Sequence, residues 1–142
     1  ENKTNPLSQY DFHGARILLA EDNAINREIA VELLKMVHLV IDCAGNGEEA
    51  LAMFSASKEG EYQLILMDIQ MPLMNGYEAT KAIRALKRKD APNIPIFAMT
   101  ANAYSEDVTH ALSFGMNGHI AKPIDPQTLY RTIAQALEPQ SK

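Results

Sequence analysis

Cysteine is nearly absent: Cys43 is the only one in 142 residues. That excludes an internal disulfide and a cysteine-rich metal site, and it is compatible with a reducing cytoplasm. Basic residues are in the minority, with 13 Lys and Arg against 18 Asp and Glu and a formal net charge of −5. A nucleic-acid-binding surface is therefore not expected. No apolar run approaches the ~20 residues that a membrane-spanning helix needs. The N-terminus is polar and carries no signal-peptide pattern. Internal repeats and low-complexity blocks are missing too. What is there, 46% hydrophobic and 22% charged residues, is ordinary for a soluble globular protein. The length suits one compact domain with a core large enough to fold alone. Because the chain begins with Glu1 and not Met, it is expected to be a piece of a longer protein.

Residues 1–14 (ENKTNPLSQYDFHG) are polar and aperiodic and read as a linker remnant. Residues 139–142 read as a tail, which leaves 15–138 as the domain. Within it, short apolar runs alternate with amphipathic ones. Ile17–Ala20, Leu64–Met67 and Ile96–Met99 read as buried strands, the last two ending at Asp68 and Thr100. Weaker strands are expected at Leu39–Cys43 and His119–Ala121, the latter ending at Lys122-Pro123. Ile25, Ile29, Val31, Leu33, Leu34 and Met36 recur at helical spacing, and Ala50, Leu51 and Phe54 make a shorter helical face. The pattern predicts a helix over 77–89, with Ala79, Ile83 and Leu86 inward and Lys81, Arg84, Lys87, Arg88 and Lys89 outward. Two more helices are expected at about 105–114 and 126–137. Five strand–helix units of this kind favour a parallel sheet with helices on both faces and right-handed crossovers.

The polar residues of interest sit where strands end. Glu21 and Asp22 follow the first strand, and Asp68, Thr100 and Lys122 end the third, fourth and fifth. In an open parallel sheet, ligand sites lie beyond the carboxyl ends of the strands. Three carboxylates crowded there repel one another, and a divalent cation such as Mg2+ relieves this. A carboxylate oxygen can then attack phosphorus and form an acyl phosphate. Lys122 offers a compact cation and Thr100 a hydroxyl to phosphoryl oxygens, so the parts supply positioning and charge neutralisation. Taken singly, each residue has a plainer role: an acidic residue after a strand as a helix cap, a strand-end Thr as a cap, a Lys-Pro as surface loop. Their joint occurrence at successive strand ends favours a site.

From about Arg16 to Leu137 the chain resembles the receiver domain of two-component response regulators. The resemblance rests on ILLAEDNAINR, NGEEAL, LILMDIQMPLMNGYEAT, IPIFAMTANA and GMNGHIAKPID. The wording EDNAINR, MDIQMP and AMTANA is most similar to receivers of hybrid sensor histidine kinases. The resemblance implies a flavodoxin-like α/β fold, a five-stranded parallel sheet in the order 2-1-3-4-5. It implies Asp68 as the phosphoacceptor, with Thr100 and Lys122 binding the phosphoryl group. Mg2+ would be held by Asp22, Asp68 and the backbone carbonyl of Gln70, with Glu21 acting mainly through water. Met71 and Pro72 would shape the loop, Lys122-Pro123 would be a cis peptide, and Gln70 and Asn102 would tune dephosphorylation beside a small Ala101. Thr100 and residue 119 would form the switch.

Three positions depart from the family pattern. Glu21 stands where Asp is commonest. His119 stands where an aromatic is usual. A packed histidine is expected there, and a partner contact or pH-sensitive switch is the alternative. His38 stands at a helix end that favours Gly, so a left-handed residue is expected. The implied donor is a phosphohistidine on a kinase or a histidine phosphotransfer domain. Asn26, Arg27, Ala30, Leu33 and Leu34 would be its docking face, with its apolar residues fitting the core equally well as the alternative. A free-standing or attached output partner is implied, with no direct nucleic-acid binding and no membrane insertion by this segment. A cytoplasmic location is expected, with anchoring of a parent protein left open. Two other classes stay in view. An aspartate-nucleophile hydrolase would carry a second Asp two residues on, where this chain has Gln70. A degenerate receiver acting only as an interaction module would lack Asp68, Thr100 or Lys122.

Overall fold

In the computed structural model, residues 10–101 and 112–137 are described. Five strands form one parallel sheet: β1 (Arg16–Ala20), β2 (Val40–Ala44), β3 (Leu64–Asp68), β4 (Ile96–Thr100) and β5 (Gly118–Ala121). Their order is β2-β1-β3-β4-β5, as expected. Four helices connect or follow them among the described residues: α1 (Ala24–Lys35), α2 (Gly47–Ala56), α3 (Gly76–Arg84) and α4 (Pro126–Leu137). The helix expected at about 105–114 lies almost wholly outside the described residues.

Strand side chains alternate between the two faces of the sheet. Leu18, Ala20, Ile65, Met67 and Ala98 pack with Ala50 and Phe54 of α2 and Ala79 and Ile83 of α3. Ile17, Leu19, Leu64, Leu66 and Met99 pack on the other side with Ala30 and Leu34 of α1 and Leu129, Tyr130 and Ile133 of α4. Every residue of β3 is buried. That is why its sequence is unbroken apolar until Asp68, each Leu, Ile or Met contributing about 1.5–3 kcal/mol by leaving water.

Local signals start the helices. Asn23, Asn46 and Asn75 cap α1, α2 and α3, each accepting from the backbone N–H three residues on. Glu78 completes a capping box by accepting from the Asn75 N–H. Asp125 caps α4 through Thr128, with Pro126 as its first residue. His38 does adopt the left-handed conformation, at φ 66°, and the Lys122-Pro123 peptide is cis.

The helix expected over 77–89 stops at Arg84, and two of the side chains read as outward turn in. All five N–H donors of Arg84 are used. They go to the carbonyls of Gly115 (twice), Ala91 and Ile94 and to Asn117 Oδ1, at 2.7–3.0 Å. Arg88 lies 4.3 Å over the Phe54 ring and bonds the Phe54 and Ser57 carbonyls and Asp90. These contacts fold the chain back after α3 and override its helical propensity. At the base of the sheet, residues 10–14 lie against the domain. Tyr10 and Phe12 pack on the α1–α4 core, and Phe12 N–H donates to the Val37 carbonyl at 2.8 Å.

Gly76 seats α3 directly on the end of β3. A Cβ there would stand 2.3 Å from the Asp68 carbonyl oxygen, far inside contact distance. Gly76→Ala is therefore expected to destabilise the fold by about 3 kcal/mol, because backbone must shift to admit one methyl. Denaturant unfolding measures this; a loss under about 0.5 kcal/mol would contradict the close approach.

Candidate functional site

β1 and β3 run side by side with Ala20 opposite Met67. The residues just beyond, Glu21 and Asp22 from one strand and Asp68 from the other, are thereby brought together at the carboxyl edge of the sheet. β4 delivers Thr100, which is paired with Ala121 of β5, so Lys122 follows immediately. These five expected residues line one cleft of about 240 Å3, together with Gln70 and Ala101. That volume suits a phosphoryl group and a hydrated cation and is below the range of drug-sized ligand pockets.

Burial differs sharply among the acids. Glu21 and Asp68 are 2% and 6% exposed, whereas Asp22 faces solvent. One oxygen of each lies within 4.8 Å of the others. Lys122 Nζ bridges the two buried ones, 3.0 Å from Glu21 Oε1 and 3.2 Å from Asp68 Oδ2. Glu21 is also held by the Asn23 N–H, which donates to Oε2 at 3.1 Å, while Arg27 donates to the Glu21 carbonyl at 2.8 Å.

Burial pushes the Asp68 carboxyl up, and the hydrogen bond and charge of Glu21 push it further. Lys122 acts against both, and the result is about 6. Burial by itself would lower the Lys122 ammonium, but the hydrogen bond it donates to Glu21 and the charges of both acids outweigh it and leave it raised. Three carboxylates and one ammonium leave a formal charge of −2 in the cleft, which one divalent cation balances. The donors are all oxygen, and the exposed Asp22 leaves room for water ligands. Mg2+ prefers such a set, a few carboxylates completed by water and phosphate oxygens. The residues present fit that ion.

Not every expected residue joins the cleft. Asn102 lies outside the described residues. His119 is exposed on β5 and is absent from the cleft lining, so it is not the packed histidine expected. Short β5 alternates its sides, and Ile120 takes the buried one. Of the expected docking face on α1, Ala30 and Leu34 are core residues at 1% and 0% exposure. The apolar side chains that α1 does present are Ile25 and Ile29, exposed by 70% and 51%. Asn23, Ile69 and Met99 line the cleft and were not anticipated, and Asn26, expected on the docking face, lines it too. The cap signal at Asn23 would have found the first of them, whereas Ile69 and Met99 carry no local mark.

Comparison with known proteins agrees with this geometry. The family model described as response regulator receiver domain matches residues 17–134. Hybrid signal transduction histidine kinase I of Dictyostelium discoideum is 40% identical over a stretch covering 83% of this chain and 7% of that protein. Probable histidine kinase 1 of Oryza sativa subsp. indica is 34% identical, covering 99% of this chain and 17% of that protein. The chain thus spans less than a fifth of the length of these relatives. The receiver domain of sensor histidine kinase PA1611 from Pseudomonas aeruginosa PAO1 superposes with TM-score 0.81 at 32% identity, covering 89% of this chain and 99% of that one. That crystal structure has a magnesium ion coordinated in its active-site cleft. The receiver domain of Ssk1 from Saccharomyces cerevisiae, co-crystallised with the histidine phosphotransfer protein Ypd1, superposes with TM-score 0.78 at 32% identity over 92% of this chain and 97% of that one.

The raised Asp68 carboxyl sets a pH dependence. An acid whose folded value (about 6) exceeds its unfolded value (3.8) contributes most favourably below pH 3.8, and that contribution is lost as the pH rises through 6. Metal-free Asp68→Asn should therefore be about 2 kcal/mol more stable than the wild type at pH 7.5 and about equal to it at pH 4. Mg2+ should stabilise the wild type more at pH 7.5 than at pH 5. Thermal melts across pH check both; a variant gain that is independent of pH would refute the assignment.

Proposed function

We propose that this chain, which belongs to the response regulator receiver domain family of two-component systems, takes a phosphoryl group from a phosphohistidine onto Asp68 and changes shape in response. The observation that carries this reading is the Lys122 ammonium 3.2 Å from Asp68 in a cleft shared with Glu21, Asp22 and Thr100. A carboxylate oxygen of Asp68 attacks phosphorus, the N–P bond of the donor breaks, and the imidazole, already protonated on its other nitrogen, leaves as the neutral ring. A Mg2+ would be held by Asp22, Asp68 and the Gln70 carbonyl, with Glu21 acting mainly through water, and would supply charge neutralisation for the incoming phosphoryl oxygens. Lys122 exchanges its Asp68 carboxylate for a phosphoryl oxygen, and its bond to Glu21 keeps it in place meanwhile. The Thr100 hydroxyl closes on another phosphoryl oxygen. Gln70 and Asn102 then set how readily water removes the group.

The same contacts bias the conformation, since a ligand shifts an equilibrium only by its differential interaction with the two states. Thr100 moves towards the phosphoryl group and His119, exposed on β5, turns into the space it leaves. Because β5 runs directly into Lys122, that movement reshapes the surface an output partner reads. The donor is a kinase or histidine phosphotransfer domain, docking on the exposed Ile25 and Ile29 beside the cleft. The wider protein on this reading is a hybrid histidine kinase, its receiver spanning 15–138 and working in the cytoplasm. No described helix is long and apolar enough to cross a membrane. A purely structural, degenerate receiver has no observation in its favour, because the acceptor, the lysine and the threonine are all in place.

With Mg2+ and acetyl phosphate, the chain should gain one acid-labile phosphoryl group, and Asp68→Asn should gain none. Mass spectrometry reads this; a folded wild type that stays unlabelled sinks the proposal. Thr100→Ala should still be labelled but should lose most of the phosphorylation-induced amide shifts at 112–121. Intact shifts there would rule Thr100 out as the coupling residue.

A further inference from the structure

The stretch leading into β1 reads as linker by composition, yet from Tyr10 onward it is fastened to the domain. Tyr10 stacks on Phe12 with ring centroids 6.1 Å apart and tilts against Tyr130 of α4 at 5.6 Å. Tyr130 is fully buried, and its hydroxyl donates to the Leu33 carbonyl of α1. The Tyr10 and Phe12 rings therefore rest on the seam between α1 and α4. Main-chain bonds follow on the α1 side. Phe12 N–H donates to the Val37 carbonyl at 2.8 Å, Gly14 N–H to the His38 carbonyl at 2.7 Å, and Val40 N–H to the Ala15 carbonyl at 2.9 Å. The segment is thus stitched to the turn between α1 and β2 before β1 begins.

One side chain of that turn is explained by the segment alone. His38 has φ 66°, a left-handed conformation that glycine adopts at less cost. Its imidazole is 67% exposed, so burial does not offset the strain. What it does reach is Asp11, whose Oδ1 lies 3.1 Å from His38 Nδ1. The same oxygen accepts from the His13 N–H at 2.9 Å, which curls the segment into a turn on its own backbone. His13 and Gly14 then run left-handed, at φ 53° and 84°, and lead the chain into β1. Asp11 is the node where the shape of the segment and its hold on α1 meet. We propose that residues 10–14 are a clasp with His38 as its catch, docking on the α1–α4 seam and fixing the line along which the chain enters the domain. A glycine would ease the turn but remove the catch. The clasp lies at the amino edge of the sheet and the Asp68 cleft at the carboxyl edge, about 16 Å away along the five residues of β1. Whatever is joined through this segment is held in one direction, at the end remote from the cleft, instead of swinging on a free tether.

Amide hydrogen exchange and NMR relaxation on the full chain test this, with Asp11→Ala and His38→Gly as variants. In the wild type, order parameters at 11–14 should be about 0.85, as in rigid backbone. Exchange at the Phe12 and Gly14 amides should quicken about fivefold or more in each variant, measured against the core amide of Leu66. His38→Gly should at the same time melt no lower than the wild type, since glycine suits the positive φ. The double variant should match Asp11→Ala, because both changes remove the same contact. A His38 serving only the α1 turn gives the opposite sign: glycine would leave exchange at Phe12 and Gly14 unchanged or slow it, and that result overturns the proposal. So would wild-type order parameters below about 0.6 at 11–14. Exchange at these amides that slows as the protein is concentrated would assign the seam to a segment of a second copy, which also overturns it.

Discussion

Everything at the carboxyl edge of the sheet follows from carboxylates held closer together than water would allow. Glu21 and Asp68 are nearly closed off from solvent, and Asp22 stands beside them. Their repulsion is a standing cost that the two hydrophobic layers beneath must carry, and the layers can carry it because β1 and β3 are anchored on both faces. Lys122 is the only cation lining the cleft among the described residues, and it divides itself between the two buried acids. The site is thus under-neutralised, and a divalent cation fits the charge that Lys122 leaves unbalanced. A longer Glu at position 21 fits this arrangement, because its extra methylene lets the carboxylate reach Lys122 while its main chain is clasped by Arg27.

How legible all this was depended on what fixed each residue. β3 and β4 lie where their patterns place them, Leu64–Asp68 and Ile96–Thr100, because the sheet's interior imposes an unbroken apolar run. β2 is displaced by one residue from the expected Leu39–Cys43 because it is an edge strand, with Val40 partly in water and Leu39 tucked into the core from the preceding turn. The acidic residues, Thr100 and Lys122 were findable since strand ends are local events and the topology then gathers them. Arg84 and Arg88 misled because a basic residue on a helix normally faces water, and only tertiary carbonyls far along the chain turn them inward. On the α1 face the core alternative holds for Ala30 and Leu34. Helical spacing tells which residues share a side, but not whether that side meets the sheet, and Ala30 and Leu34 do meet it.

His119 shows the limit of analogy at a single position. The family's usual aromatic would have hydrophobic reason to pack, whereas an imidazole is content in solvent, and here it is exposed. A switch built on it would exchange a hydrated ring for a less hydrated one, a smaller hydrophobic gain than a phenyl ring makes. More of the driving force would then come from the phosphoryl contacts of Thr100 and Lys122.

The Arg84 joint behaves differently from the cleft in one respect. Its guanidinium faces backbone carbonyls and an amide oxygen, with no carboxylate among its partners, and burial pulls it below its usual basicity. Mobile ions weaken attraction between separated charges over about 8 Å at physiological ionic strength, but they do little to dipoles touching a buried cation at hydrogen-bond distance. Brine would therefore weaken the acid cluster's pull on a distant cation while leaving α3 riveted to the turn before β5. The end of the molecule that handles charge is salt-tunable, and the hinge pin behind it is not.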